Sequence, residues 1–140
     1  MGATSEHFKN SELQCHCGCG VNDCTQALVD ALEDFRSIVG QPVIVDDAYR
    51  CPARNALDKG ARYSQHVIGQ AADIRVSGMT AAQLESASRQ VPAIHGIGRA
   101  DYQGYLHMDV RKDPAQWCYN SLGHQVAYYQ PSEPSSSINA

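Results

Sequence analysis

The chain contains no run of about 18 consecutive apolar residues, so no segment of it reads as a membrane span. It also lacks a surplus of positive charge. Eleven Lys and Arg stand against 15 Asp and Glu, a formal net charge of -4. That excludes the basic footprint of a nucleic-acid binder, and an anionic polymer would have to be held by specific contacts. Met1 to His7 carry neither a basic region nor an apolar one, so no secretory signal is expected there. Internal repeats and interdomain linkers are missing too. A chain of 140 residues is then most simply one domain, large enough for a hydrophobic core without covalent staples. The expected domain covers residues 1–130, its first 24 irregular and rich in Cys and Gly. The Ser- and Pro-rich stretch 131–140 reads as a disordered tail.

Cysteine, by contrast, is abundant. Cys15, Cys17, Cys19 and Cys24 crowd together, with Cys51 and Cys118 far away in sequence. An even count favours disulfides, and these are the leading expectation, although six cysteines allow about 15 pairings. Free buried thiols and a second, structural metal are the alternatives. The C-x-C-x-C-x4-C spacing differs from the C-x2-C knuckle of zinc ribbons.

Periodicity supplies the elements. Leu28, Leu32, Phe35 and Val39 recur at helical spacing between Thr25 and Val39, and Gly40 follows as a stop. Val43-Ile44-Val45 reads as a buried strand, and Ala53 to Asp58 as a short helix closed by Lys59-Gly60. Ala71 to Val76 alternates as a strand, with Ala71, Asp73 and Arg75 on one face. Thr80-Ala81-Ala82-Gln83 is a capping box opening a helix that carries Leu84, Ala87 and Val91, with Pro92 beyond. Ile94 to Arg99, Tyr105 to Arg111 and Gln125 to Gln130 read as further strands. In the second of these, Leu106, Met108 and Val110 point to the core, while Tyr105, His107, Asp109 and Arg111 point away. The fold class is α+β: a small, mainly antiparallel sheet flanked by helices. Trp117 and Phe35 read as core residues. His95 reads as structural, and His7, His16 and His124 as surface side chains.

His66, Asp73 and His107 offer two imidazoles and a carboxylate. Three such ligands can hold a zinc ion whose fourth position stays open to water, the mark of a catalytic site. Asp73 and His107 each lie on the polar face of a strand, and neighbouring strands would bring them to one cleft. Ala71 leaves room there, and Gly69 lets the backbone turn so that His66 can reach back. Taken alone, each histidine is as readily a solvated side chain, and the spacing does not decide.

A wider pattern does more. Ser64-x-His66-x-x-Gly69-x-Ala71-x-Asp73 with a distant His107 resembles the ligand signature of the zinc D-alanyl-D-alanine metallopeptidase family. That family takes in D,D-carboxypeptidases, vancomycin-resistance dipeptidases and phage endolysins, and its fold relates to the hedgehog signalling domain. Cys15-His16-Cys17-Gly18-Cys19-Gly20, Tyr49-Arg50-Cys51-Pro52, Gly96-Ile97-Gly98-Arg99 and His107-Met108-Asp109-Val110-Arg111 resemble its compact single-domain phage and prophage branch. The resemblance covers roughly residues 8–118.

It implies a hedgehog/D,D-peptidase-like fold and one catalytic Zn2+ held by His66, Asp73 and His107. It implies Arg50 as the arginine that holds or polarises a substrate carbonyl or carboxylate, a task suited to a planar guanidinium. A surface ion pair with Asp46 or Asp47 is the alternative role for Arg50. Ser64 and Gln65 match substrate-contacting positions, although Ser64 could equally cap the turn before His66. Tyr102 and Tyr105 would wall the cleft or donate to a developing oxyanion.

Many relatives carry an acidic general base three residues before the last histidine, where this chain has Gly104. Asp101 is the favoured substitute, and Asp109 the second candidate, either as a base or orienting His107 from behind. The implied function is amide hydrolysis in peptidoglycan stem peptides or cross-links, as a carboxypeptidase or endopeptidase. A non-catalytic, zinc-stabilised binding module of the same fold is the alternative. The resemblance further implies action at the cell wall or periplasm. With no signal visible, the chain is expected to stay cytoplasmic until released by lysis or a secretion device. A monomer is expected, although the sequence does not fix the oligomeric state.

Overall fold

A computed structural model describes residues 2–58 and 64–131. The expected helix stop at Lys59-Gly60 and all but the first residue of the expected tail at 131–140 lie outside the described residues. Ten elements follow in chain order: α1 (Asn10–Leu13), α2 (Gln26–Val39), β1 (Ile44–Asp47), α3 (Pro52–Leu57), β2 (Ala71–Arg75), α4 (Ala81–Ser88), β3 (Gly96–Ala100), β4 (Tyr105–Asp109), β5 (Ala115–Tyr119) and β6 (Gln125–Ala127). The architecture is α+β. The strands form one sheet in the order β1-β2-β4-β3-β5-β6, antiparallel throughout except for the parallel pair β3 and β5. No helix among the described residues is long and apolar enough to cross a membrane.

The helix α2 starts where Thr25 accepts a hydrogen bond from the Leu28 N–H at 3.2 Å, and ends at Gly40, whose φ of 69° is left-handed. Leu28, Leu32 and Phe35 are fully buried. The cap is worth about 1 kcal/mol. Each buried side chain contributes about 1.5–3 kcal/mol. Packing therefore holds this helix more than its ends do. The capping box of α4 forms as expected: Gln83 N–H donates to Thr80 Oγ1 at 3.2 Å, and Thr80 N–H donates to Gln83 Oε1 at 2.9 Å. That helix stops at Ser88, short of Val91, because Gln90 and Val91 donate to carbonyls three residues back before Pro92 arrives. Val91 is nonetheless buried.

One sheet face carries Ala72, Ile74, Ile97, Leu106 and Met108 into the core with α2 and α4. The opposite face carries Asp73, His107 and Asp109. One strand expectation is corrected, and one strand is unexpected. The first strand is an edge strand running from Ile44 to Asp47, with Ile44 exposed and Val43 buried just before it. Ala115–Tyr119, which has no clear alternation, is a strand because it pairs with β3. The disulfide expectation is corrected as well: all six cysteines are free.

Candidate metal centre and its cleft

Register across the sheet builds the site. Asp73 on β2 lies opposite His107 on β4, His107 opposite Gly98 on β3, and Gly98 beside Trp117 on β5. Alternation places all four on the sheet's polar face. His66 enters from the turn before β2. There Gly69 adopts a φ of 72°, and a Cβ on it would collide with the Asp23 backbone, so glycine is required twice over.

The three donors converge. Asp73 Oδ1 lies 3.2 Å from His107 Nδ1 and 3.4 Å from His66 Nε2. One donor atom from each residue falls within 4.8 Å of the others. Both imidazoles are buried, with ring centroids 5.2 Å apart. Each has its remaining nitrogen occupied from behind. His66 Nδ1 is 2.8 Å from the Ala48 carbonyl, which can only accept, so the proton sits on Nδ1. His107 Nε2 is 2.7 Å from Asp109 Oδ2. The other two nitrogens, His66 Nε2 and His107 Nδ1, face Asp73, and on the neutral rings each would offer a lone pair. Two imidazole nitrogens and one carboxylate oxygen, oriented this way by outer partners, suit a divalent metal of the zinc type.

Electrostatics agree. Burial would raise the Asp73 carboxyl, but the adjacent His66 and His107 rings prevail and hold it well below the usual carboxylate range. Burial would lower His107, yet hydrogen bonds to Asp109 and Asp73 push it up to about 9. Without a metal, a protonated ring thus sits between two carboxylates, and a cation of higher charge would replace its proton.

The cleft over these donors encloses about 750 Å³. Arg50 lines it as expected and is also paired as its alternative role required: Nε donates to Asp47 Oδ2 at 3.1 Å, and Nη1 donates to Asn55 Oδ1 at 3.0 Å. Asp46 instead pairs with Arg75. Ser64 and Gln65 line the cleft, and the Ser64 hydroxyl also accepts from the His66 N–H at 3.2 Å. Tyr105 is part of the wall. Burial and the nearby Asp73 push its phenol up, keeping it a donor.

Asp101 and Tyr102 are not brought to this cleft. The Asp101 carboxylate accepts from Arg99 Nε at 2.9 Å, and Arg99 is fully buried against Glu85, with Nη1 donating to Oε1 at 2.7 Å. Tyr102 is 69% exposed on the turn between β3 and β4. Gly104, in that same turn, has a φ of 73°. Asp109 lies behind His107, fully buried, and its oxygens also accept from Arg111 Nε at 2.8 Å and Nη2 at 2.7 Å. Burial opposes its ionisation, but His107 and Arg111 hold the carboxyl far below its ordinary range. It contacts the ring from behind and is not among the residues lining the cleft.

Several cleft residues were not visible in the sequence. Trp117, expected in the core, is instead a half-buried wall, with its ring 5.0 Å from that of His107 and the Arg111 guanidinium 5.0 Å over its face. Tyr119, His124 and Gln125 complete that side. The signal lay in Gly96-Ile97-Gly98: a Cβ at Gly96 would meet the Asp109 carboxylate, and one at Gly98 the Trp117 indole. His95 is structural, its Nδ1 2.6 Å from the Arg111 carbonyl.

No curated protein matches the chain. A family model described as Peptidase M15 matches residues 6–109, from before α1 to the last residue of β4. The matched span contains the three converging donors, Arg50 and Asp109, and on its extent the chain belongs to the Peptidase M15 family.

Proposed function

We propose that the chain is a zinc peptidase hydrolysing amide bonds in the stem peptides or cross-links of peptidoglycan, as a D,D-carboxypeptidase or an endopeptidase of endolysin type. The observation that carries this reading is the orientation of the two imidazoles, each held from behind so that its free nitrogen faces Asp73. A zinc ion bound there supplies a Lewis acid that activates water and polarises a carbonyl at neutral pH.

The chain's own residues bind and orient the peptide. Arg50 is fixed by Asp47 and Asn55 and keeps N–H groups on its terminal nitrogens for a substrate carboxylate or carbonyl. Among the described residues, the buried Gln65 Oε1, an acceptor, has no hydrogen-bond partner, and the indole N–H of Trp117 interacts with the Tyr119 phenol. The N–H of a peptide unit would satisfy the Gln65 oxygen, and this favours an amide substrate. Tyr105 stays protonated and can donate to a developing oxyanion. Among the described residues lining the cleft, Asp58 and His124 are the carboxylate and the imidazole beyond the triad, and they are the candidates for a proton-transfer role.

This reading extends to the compact phage and prophage branch, with residues 1–130 as one monomeric domain acting at the cell wall or periplasm. A binding module without catalysis is the second reading. It is motivated by Gly104, whose left-handed backbone stands where relatives place a base. Incubation of the zinc-loaded protein with purified peptidoglycan, followed by mass spectrometry of the muropeptides, separates the two. Zinc-dependent cleavage that disappears with His66→Ala supports the peptidase. Intact peptides across several wall chemotypes would leave only the binding module.

A further inference from the structure

A second convergence of metal-binding side chains lies outside the cleft. Cys15, Cys17 and Cys19 of the opening segment meet Cys51, the residue that precedes α3, with all four Sγ atoms within 4.8 Å of one another. Cys17 Sγ and Cys51 Sγ are 3.7 Å apart. A disulfide brings its sulfurs to about 2.05 Å. Four sulfurs at about 2.3 Å from a tetrahedral zinc stand about 3.8 Å from each other. We propose that Cys15, Cys17, Cys19 and Cys51 hold a structural zinc ion.

The backbone is shaped for such a site. The Cys51 N–H donates to Cys15 Sγ at 3.4 Å, and the Arg54 N–H donates to Cys51 Sγ at 3.5 Å, as donors that favour thiolates do. The loop from Cys15 to Val21 is closed by the Cys15 N–H donating to the Val21 carbonyl at 2.8 Å. Inside it, Gly18 and Gly20 have φ values of 91° and 74°, and a Cβ on either would meet nothing. Glycine is therefore there for its conformation, which lets three cysteines within five residues turn toward one point. Cys24 and Cys118 stand apart, both buried, with their thiols toward the carbonyls of Leu13 and Tyr129. Four thiolates fill the coordination sphere, so this ion is structural.

The site's position gives it a use. Cys51 follows Arg50, and Ala48, two residues before Arg50, supplies the carbonyl that orients His66. The Tyr49 N–H donates to the Leu13 carbonyl and the Arg50 N–H to the His66 carbonyl. A zinc ion joining Cys51 to the opening segment clamps this loop from behind and fixes Arg50 over the cleft. The proposal stands independently of what the cleft cleaves.

Metal content measured by elemental mass spectrometry tests it on three forms of the full chain. Wild type is expected to carry two zinc ions, and His66→Ala/His107→Ala one. Cys17→Ser/Cys19→Ser, at two exposed positions, is also expected to carry one. Loading the wild-type chain with Co2+ requires no substitution: intense thiolate-to-cobalt charge-transfer absorption is expected, and the cleft, which has no thiol, cannot produce it. A metal-free His66→Ala/His107→Ala protein that is folded would overturn the proposal. So would a cobalt spectrum without thiolate bands, or a non-reduced mass showing these cysteines paired as disulfides.

Discussion

Asp73 and His107 face each other directly across the antiparallel pair β2 and β4, with Oδ1 and Nδ1 3.2 Å apart. Because strand side chains alternate, this register presents both to one cleft, and a slip of one residue would send either into the core. The rest of the centre is organised around the pair: His66 from the turn before β2, Asp109 behind His107, and Gly98 leaving room for Trp117.

Asp109 Oδ2 lies 2.7 Å from His107 Nε2, and the proposed role of this carboxylate is to hold the ring in place. Asp109→Asn keeps the shape but weakens the charge-assisted bond, and zinc affinity in the cleft should fall about 10–100-fold. Competition titration with a chelator on a background of Cys17→Ser/Cys19→Ser reads this site alone. Unchanged affinity would mean that His107 needs no orientation.

The metal-free protein should lose stability as pH rises. His107 is lifted from 6.5 to about 9, so the stabilisation from its charged ring is complete below about 6.5 and disappears as pH climbs through about 9. Thermal melts in chelator, compared with His107→Gln, should converge at the alkaline end. Zinc needs the neutral ring, so affinity should rise over the same interval. A pH-independent difference between the two proteins would contradict the ring's place between two carboxylates.

Arg99→Met should be costly and Asp101→Ala mild. The former removes one of the partners of the buried Glu85, which keeps Arg89 and Tyr128, and should destabilise by about 1.5–3 kcal/mol in chemical denaturation. The latter removes one hydrogen bond, about 1–2 kcal/mol, and should leave zinc-dependent turnover intact. Lost turnover at equal zinc occupancy would restore Asp101 as the base.

Gly98→Ala should deform the cleft. The added methyl would meet Trp117 Nε1 at 2.5 Å and Cε2 at 2.7 Å, so the indole must move, at about 1–3 kcal/mol. Tryptophan fluorescence reports the shift directly, since Trp117 is the sole tryptophan. An unchanged spectrum and melting temperature would place the ring elsewhere.

What was legible in the sequence was what local rules govern. Thr25 with Gly40, the Thr80–Gln83 box and the alternation through β2 and β4 declared themselves in a few residues each. What escaped depends on distant partners. The strand Ala115–Tyr119 exists because β3 lies beside it, and Trp117 looks like a core residue until Gly98 is known to lie beside it. Asp101 is a plausible base in sequence. That Arg99 turns inward to Glu85 and takes Asp101 with it depends on a contact fourteen residues away in the chain. The cysteine spacing allowed disulfides, thiols or a metal, because Cys51 joins the other three only through the fold.

The most direct measurement is a crystal structure of the zinc-loaded protein with anomalous data collected at the zinc edge. The account predicts a peak within bonding distance of His66 Nε2, Asp73 and His107 Nδ1, with His107 Nε2 still on Asp109. No peak at that point, or a zinc bound through His107 Nε2, would contradict it.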